Sequence, residues 1–201
     1  MKQSARERLL AAADELFYAE GVQTVGVDRI IEHAGVAKAS LYNIFGGKEQ
    51  LIRAYLDGRH AGTTDRLVRA IQSTHDPRER VLAVFDAQGE FFTEPDFHGC
   101  AFVTASAEAK PSSSIEEAAD GFRAWIRNMF TQLVREAGVS NPEELAVQLQ
   151  LLYDGAGLAA RMDRSPAAAA AARAAAAALL DSVIPARRRK SPARRKVAAV
   201  A

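Results

Sequence analysis

The sequence predicts an all-α fold of about nine helices, on three observations. Apolar residues recur at i, i+3, i+4 and i+7 in one segment after another, the period of a helix that buries one face. Helix-capping residues precede most of these segments: Ser4, Asp76-Pro77, Ser113 or Ser114, Asn141-Pro142 and Ser165-Pro166. No segment alternates apolar and polar residues in the manner of a half-buried strand.

Taken in order, Ser4 caps a first helix that ends at Gly21, with Leu9, Ala13, Leu16 and Phe17 as its buried stripe. Val27, Ile30, Ile31 and Ala34 form one face of a second, short helix, closed at once by Gly35, which accepts the positive φ of a sharp turn. A third short helix runs from about Lys38 to Phe45. A long fourth starts near Lys48 and runs past Arg69. A fifth opens at Asp76-Pro77 and reaches Phe92, where Thr93-Glu94-Pro95-Asp96 breaks it. Residues 97–112 are ambiguous, a turn at 97–100 and then a short helix to Ala109. Three more helices follow: from Ser113 or Ser114 to Gly138, from Asn141 to about Met162, and from Ser165 to a point before Pro185.

The second and third helices together read as a helix-turn-helix. Leu41 and Phe45, four apart, point back at Val27, Ile30 and Ile31. Lys38, Ala39, Ser40, Tyr42 and Asn43 then lie on a surface with no core to cover. A helix this short is roughly 10 Å long and fits a major groove about 12 Å wide. In that role Lys38 reaches guanine or phosphate, Ser40 and Asn43 exchange hydrogen bonds with base edges, and the Ala39 methyl touches thymine. Tyr42, Lys48 and Thr24 are placed for phosphate. Periodicity by itself equally allows an ordinary helical corner with a solvated polar face.

The run Ala34-Gly35-Val36-Ala37-Lys38-Ala39-Ser40-Leu41-Tyr42-Asn43-Ile44-Phe45, followed by Lys48-Glu49-Gln50-Leu51, resembles the DNA-binding signature of the tetracycline-repressor (TetR) family. Phe17-Tyr18-Ala19-Glu20-Gly21 matches upstream, so the resemblance covers about the first quarter of the chain. It implies a dimeric transcriptional regulator, a repressor released from a palindromic double-stranded operator by a small ligand, with DNA contacts at Lys38, Ala39, Ser40, Tyr42, Asn43 and Lys48. The sequence departs from the pattern at Val25 and Gly26, where Thr or Ser is common, at Ile44, where an aromatic or His is common, and at Gly47, where a polar cap is usual. The expected organisation is a helix-turn-helix domain at 1–48, a helical regulatory and dimerisation domain at 49–184, and a basic tail at 185–201.

A hydrophobic content of 48% is enough for a core. No apolar run approaches the roughly 18 residues of a membrane span, and the charged first ten residues do not read as a signal peptide, so the expected compartment is the cytoplasm. The single Cys100 excludes an intramolecular disulfide framework. The net charge of +1 hides a split: seven of the 26 Lys and Arg lie in residues 187–201, which hold no acid, leaving 19 bases against 25 acids elsewhere. DNA affinity must therefore come from a local patch and, in one reading, from the tail. The tail has no apolar stripe and is expected to be disordered, either solubilising or phosphate-binding.

Two further features concern the regulatory part. Phe85, Gln88, Phe91 and Phe92 on one helix and Trp125, Met129 and Phe130 on another form aromatic stripes. These are core, or else Phe85, Gln88, Phe92, Phe102, Trp125 and Met129 line a cavity for an apolar or aromatic effector. Residues 167–178 are eleven alanines and Arg173, which pack only where a partner backbone comes close. With Gly155-Ala156-Gly157 on the preceding helix, they suggest a homodimer interface of Leu149, Leu152, Gly155, Gly157, Ala172 and Ala176; low-complexity drift on a solvent-facing helix is the bland alternative.

The histidines have no metal-ligand spacing, no glycine-rich phosphate loop follows a strand, and neither a metal nor a cofactor is expected. The chain reads as a regulator and not an enzyme. One alternative is an architectural DNA binder using the tail; another is a helical enzyme or thiol sensor using Cys100, with His98 as its base.

Overall fold

The computed structural model describes residues 3–184, and the expectations for the basic tail lie outside them. Among the described residues there are nine helices and no strand: α1 (Ala5–Glu20), α2 (Val27–Ala34), α3 (Lys38–Phe45), α4 (Lys48–Gln72), α5 (Pro77–Phe92), α6 (Ala101–Ala107), α7 (Ser114–Glu136), α8 (Pro142–Asp163) and α9 (Ala167–Val183).

The caps explain the boundaries. Ser4 and Glu7 form a reciprocal capping box at the start of α1. Asp76 accepts from the Arg78 and Glu79 N–H groups ahead of Pro77, and Ser113 accepts from that of Glu116. Asn141 makes no cap bond itself, its Nδ2 donating to Glu144, while α9 starts after Pro166 with the Ser165 hydroxyl accepting from the Ala167 N–H at 3.3 Å. The ambiguous 97–112 stretch resolves into a turn with Gly99 at φ 97° and the short α6.

Around α1, the buried Leu9, Ala13, Leu16 and Phe17 pack on Ile30 of α2, Leu41 of α3 and the first turns of α4, where Phe17 meets Tyr55 edge-on at 5.6 Å. Helix α4 runs unbroken through the expected division at 48/49 and carries Leu67 into the second half, where α5, α7, α8 and α9 form a bundle with α6 laid against α7. Phe85 of α5 lies 5.8 Å from Phe130 of α7, and both are fully buried.

Part of the alanine run packs within its own chain. Ala169, Ala172, Ala176 and Leu180 are buried, and a Cβ on Gly89 of α5 would come within 3.1 Å of the Ala169 methyl. The close approach that the small residues require is therefore made by α5, and Arg173–Asp86 and Arg78–Asp181 ion pairs flank it.

Candidate nucleic-acid interface and ligand cavity

The turn between α2 and α3 is locked from two sides. Gly35 takes the left-handed conformation (φ 60°), and its N–H and that of Val36 close back on the carbonyls of Glu32 and Ile31. Arg8 of α1 donates to the Ala34 and Gly35 carbonyls at 3.1 and 2.8 Å. Leu41 is fully buried and Phe45 half-buried, so α3 is anchored along one edge. The opposite edge presents Lys38, Ala39, Tyr42 and Asn43 to solvent, with Ser40 half-buried and Tyr42 47% exposed. A tyrosine that open on a rigid helix covers no core of its own.

The cations here are not all free. The Lys38 ammonium lies 2.8 Å from Asp28 of α2, and that bond raises its pKa. The pair is fully in solvent and yields readily to a phosphate or base. Lys48, at the start of α4, is half-buried and donates to the Gln23 carbonyl at 3.3 Å. Burial lowers its pKa, with Glu108 acting in the opposite direction. It is as much a brace for the α1–α2 loop as a phosphate ligand. Thr24 on that loop is exposed, and α2 starts at Gly26 with no side chain on its free N–H groups.

Between α4, α5, α6, α7 and α8 lies a cavity of about 110 Å³. Gln88, Phe92 and Phe102 line it as the sequence suggests. Phe91, Phe97, Phe122 and Tyr153 also line it, none of them expected to. Phe85 instead faces Phe130 in the sealed core. Trp125 and Met129 are half-buried outside the cavity wall, and Trp125 packs on His60 at 5.0 Å and on Phe122 at 6.0 Å. Cys100 lies in the wall, where burial pushes its thiol pKa up. The His98 ring sits edge-on to Tyr18 at 5.4 Å. Among the described residues no cluster of His, Cys, Asp or Glu could hold a metal ion, and no helix is long and apolar enough to cross a membrane.

A second apolar surface lies on α8. Val147, Leu151, Leu158 and Met162 are exposed, Leu151 by 65% and Met162 by 71%, and with Gly155 they form one stripe. Nothing lies within 4 Å of a Cβ built on Gly155. Of the residues the sequence suggests for an interface, Gly155 is on this open face and Leu152 borders the groove between α8 and α9. Leu149, Ala172 and Ala176 are buried within the protomer, and Gly157 faces Gln88. Those four positions are turned inward because α7, α5 and α9 occupy that side of α8 and α9.

Residues 9–55 match the family model described as bacterial regulatory proteins, tetR family. The chain is 30% identical over 171 residues to the HTH-type transcriptional repressor NemR of Escherichia coli, covering 80% of this chain and 85% of that protein. It superposes on a TetR-family transcriptional regulator from Streptomyces coelicolor with a TM-score of 0.86 at 33% identity, covering 90% of this chain and 96% of that one. A tetR-type regulator from Streptomyces avermitilis gives 0.81 at 32% identity, over 90% and 98% of the two chains.

The chain belongs to the TetR family. It is a DNA-binding transcriptional regulator. In this TetR-family chain the DNA-binding end and the cavity are linked through α6, which the sequence reading missed. Helix α6 is held to the DNA-binding end at both of its ends. Tyr18 Oη donates to the Gly99 carbonyl at 2.9 Å and accepts from the His98 N–H at 3.1 Å. At the other end Glu108 accepts from the Gln23 N–H at 2.8 Å, and its carbonyl takes the Gln23 side chain at 3.3 Å. Gly99, Cys100, Phe102 and Thr104 of the same segment line the cavity. Only the weak signal of Glu108 just past a short helix could have pointed to this. Glu108→Ala is expected to speed hydrogen exchange at the Gln23 amide by about tenfold or more, the factor that goes with a charge-assisted hydrogen bond. Unchanged exchange in a mass-spectrometric or NMR measurement would remove the Glu108 link.

Proposed function

We propose that this regulator is a homodimeric repressor that holds a palindromic operator with Lys38, Ala39, Ser40, Tyr42 and Asn43 of α3, steadied on phosphate by Thr24 and Lys48, and is released by a small apolar or aromatic effector. The observation that carries the reading is the solvent-facing polar edge of α3, joined through Tyr18 and Glu108 to the helix that walls the cavity. A ligand that prefers one position of α6 has a hydrogen-bonded path to the α1–α2 loop, and it alters DNA affinity only to the extent that it binds one conformation better. NemR is named a repressor, which supports the negative sign. The division into a DNA-binding part (1–48) and a regulatory part (49–184) belongs to the same proposal, with α4 as the shared beam. Homodimerisation through the α8–α9 face places two α3 helices one DNA turn apart, about 34–36 Å, which a single motif cannot span.

The test is selection of genomic DNA fragments by the purified protein. The expected result is a palindrome recovered in the presence of excess competitor DNA. Recovery without sequence preference would overturn operator recognition in favour of non-specific binding.

A further inference from the structure

We infer that the cavity is built for a single-ring aromatic acid carrying a hydrogen-bond donor at the end opposite its carboxylate. The inference rests on the effector reading above and deepens it.

Size comes first. An apolar protein cavity of roughly 150 Å³ holds one benzene molecule, so a space of about 110 Å³ admits one ring only with its substituents toward an opening. The walls suit a ring: Phe92, Phe102, Phe122 and Leu67 surround it, with Phe102 and Phe122 stacked at 3.9 Å.

Charge comes second. The wall contains three guanidinium groups, Arg59, Arg66 and Arg161, and one carboxylate, Asp154. Two of the cations are engaged: Arg59 is paired with Asp14 at 2.6 Å, and Arg66 reaches Glu94 at 3.6 Å while covering the Phe91 ring. Asp154 is ion-paired with Arg123 at 2.9 Å, although its Oδ2 is buried without a hydrogen-bond partner. Arg161 has no carboxylate within 4 Å among the described residues; its Nη1 meets only the Thr104 hydroxyl, at 3.1 Å, and its stem lies over Gly99. An exposed, uncommitted guanidinium at the rim is a bidentate seat for a carboxylate.

The third observation is Gln88. It is buried, and its Nε2 donates to the Tyr153 carbonyl at 2.8 Å, which settles which end is oxygen. Its Oε1 is buried without a partner. A buried acceptor left unpaired is costly, and a hydroxyl or N–H on the ligand removes that cost. Gly157 stands opposite Gln88, at 3.8 Å from the position its Cβ would take to Nε2, and Arg161 is one turn further along α8, so the buried acceptor and the rim cation meet the cavity at different levels of that helix. An aromatic amine is disfavoured, because the wall sets three guanidinium groups against a single carboxylate, which is already ion-paired with Arg123.

The test is calorimetric titration of the full chain with 4-hydroxybenzoate, benzoate, phenol and benzylamine. We expect 4-hydroxybenzoate to bind at least tenfold tighter than benzoate or phenol, and benzylamine not to bind. Arg161→Gln, at an exposed site that leaves the fold alone, should weaken 4-hydroxybenzoate by tenfold or more with the loss confined to the acids. Gln88→Leu should abolish the advantage of 4-hydroxybenzoate over benzoate. Phenol equal to 4-hydroxybenzoate, full affinity in Arg161→Gln, binding of benzylamine, or binding of none of the four overturns the inference. Fluorescence anisotropy of operator DNA in the same samples separates the two readings. Tight 4-hydroxybenzoate binding with no DNA release upholds the ligand class and overturns the effector role.

Discussion

With Leu158 and Met162 both replaced by Glu, the protein is expected to sediment as a monomer and to lose a factor of about 10²–10⁴ in operator affinity. The two side chains are 56% and 71% exposed, so the protomer itself has little to lose from the change. The substitution charges half of the apolar stripe Val147, Leu151, Leu158 and Met162, an exposed row of large residues on a helix whose opposite face is already buried. Charge placed on both copies of a two-fold interface meets itself, adding repulsion to the lost burial. DNA affinity falls because the second half-site contact, made at high effective concentration in the dimer, becomes a separate bimolecular event. Sedimentation and DNA titration of the double variant check this together. A dimer that persists with unaltered operator affinity would move the interface elsewhere.

The second large effect is expected at α3. Asn43→Ala should weaken the cognate site by roughly 1–3 kcal/mol, about 5- to 150-fold, and relax the sequence preference at one position, while random DNA binds as before. The Asn43 side chain is exposed and makes no hydrogen bond among the described residues, so the loss cannot be assigned to a damaged fold. Lys48→Ala should instead weaken all sequences alike and reduce the salt slope by about one. Its bond to the Gln23 carbonyl supplies the competing outcome: a loss of affinity with an unchanged slope would make Lys48 a support of the α1–α2 loop and not a phosphate ligand. Equal loss on cognate and random DNA for Asn43→Ala would end its role in base readout.

The helix-turn-helix was readable because its determinants are local. Gly35 follows the Val27, Ile30, Ile31, Ala34 stripe directly, and the left-handed turn it makes is set by residues within one helical turn of it. Leu41 and Phe45 are four apart, which decides that Lys38, Ala39, Tyr42 and Asn43 face away. The start of α5 was legible in Asp76-Pro77 for the same reason. The braces on that surface were not legible. Lys38 to Asp28 spans ten residues and Lys48 to Gln23 twenty-five, and no periodicity reports such pairs.

The cavity shows the same limit. Phe85, Phe91 and Phe92 share α5, yet Phe85 is core and the other two are wall, because α6 and the turn at Gly99 leave a gap beside one end of the helix and not the other. Trp125 was a reasonable candidate by size, and it ended one ring away, behind Phe122.

By itself the sequence determined the helices, most of their caps and the solvent-facing polar edge of α3, since each depends on residues a few positions apart. Tertiary structure decided which side of α8 faces in. Leu145, Leu149 and Ala156 recur at much the same spacing as Val147, Leu151, Leu158 and Met162, so a helix apolar on both sides has no preferred inner face of its own. It acquires one only when α7 and α9 cover it. The alanines of α9 likewise found their close neighbour at Gly89, about eighty residues away, because only packing brings a bare methyl row against a missing side chain.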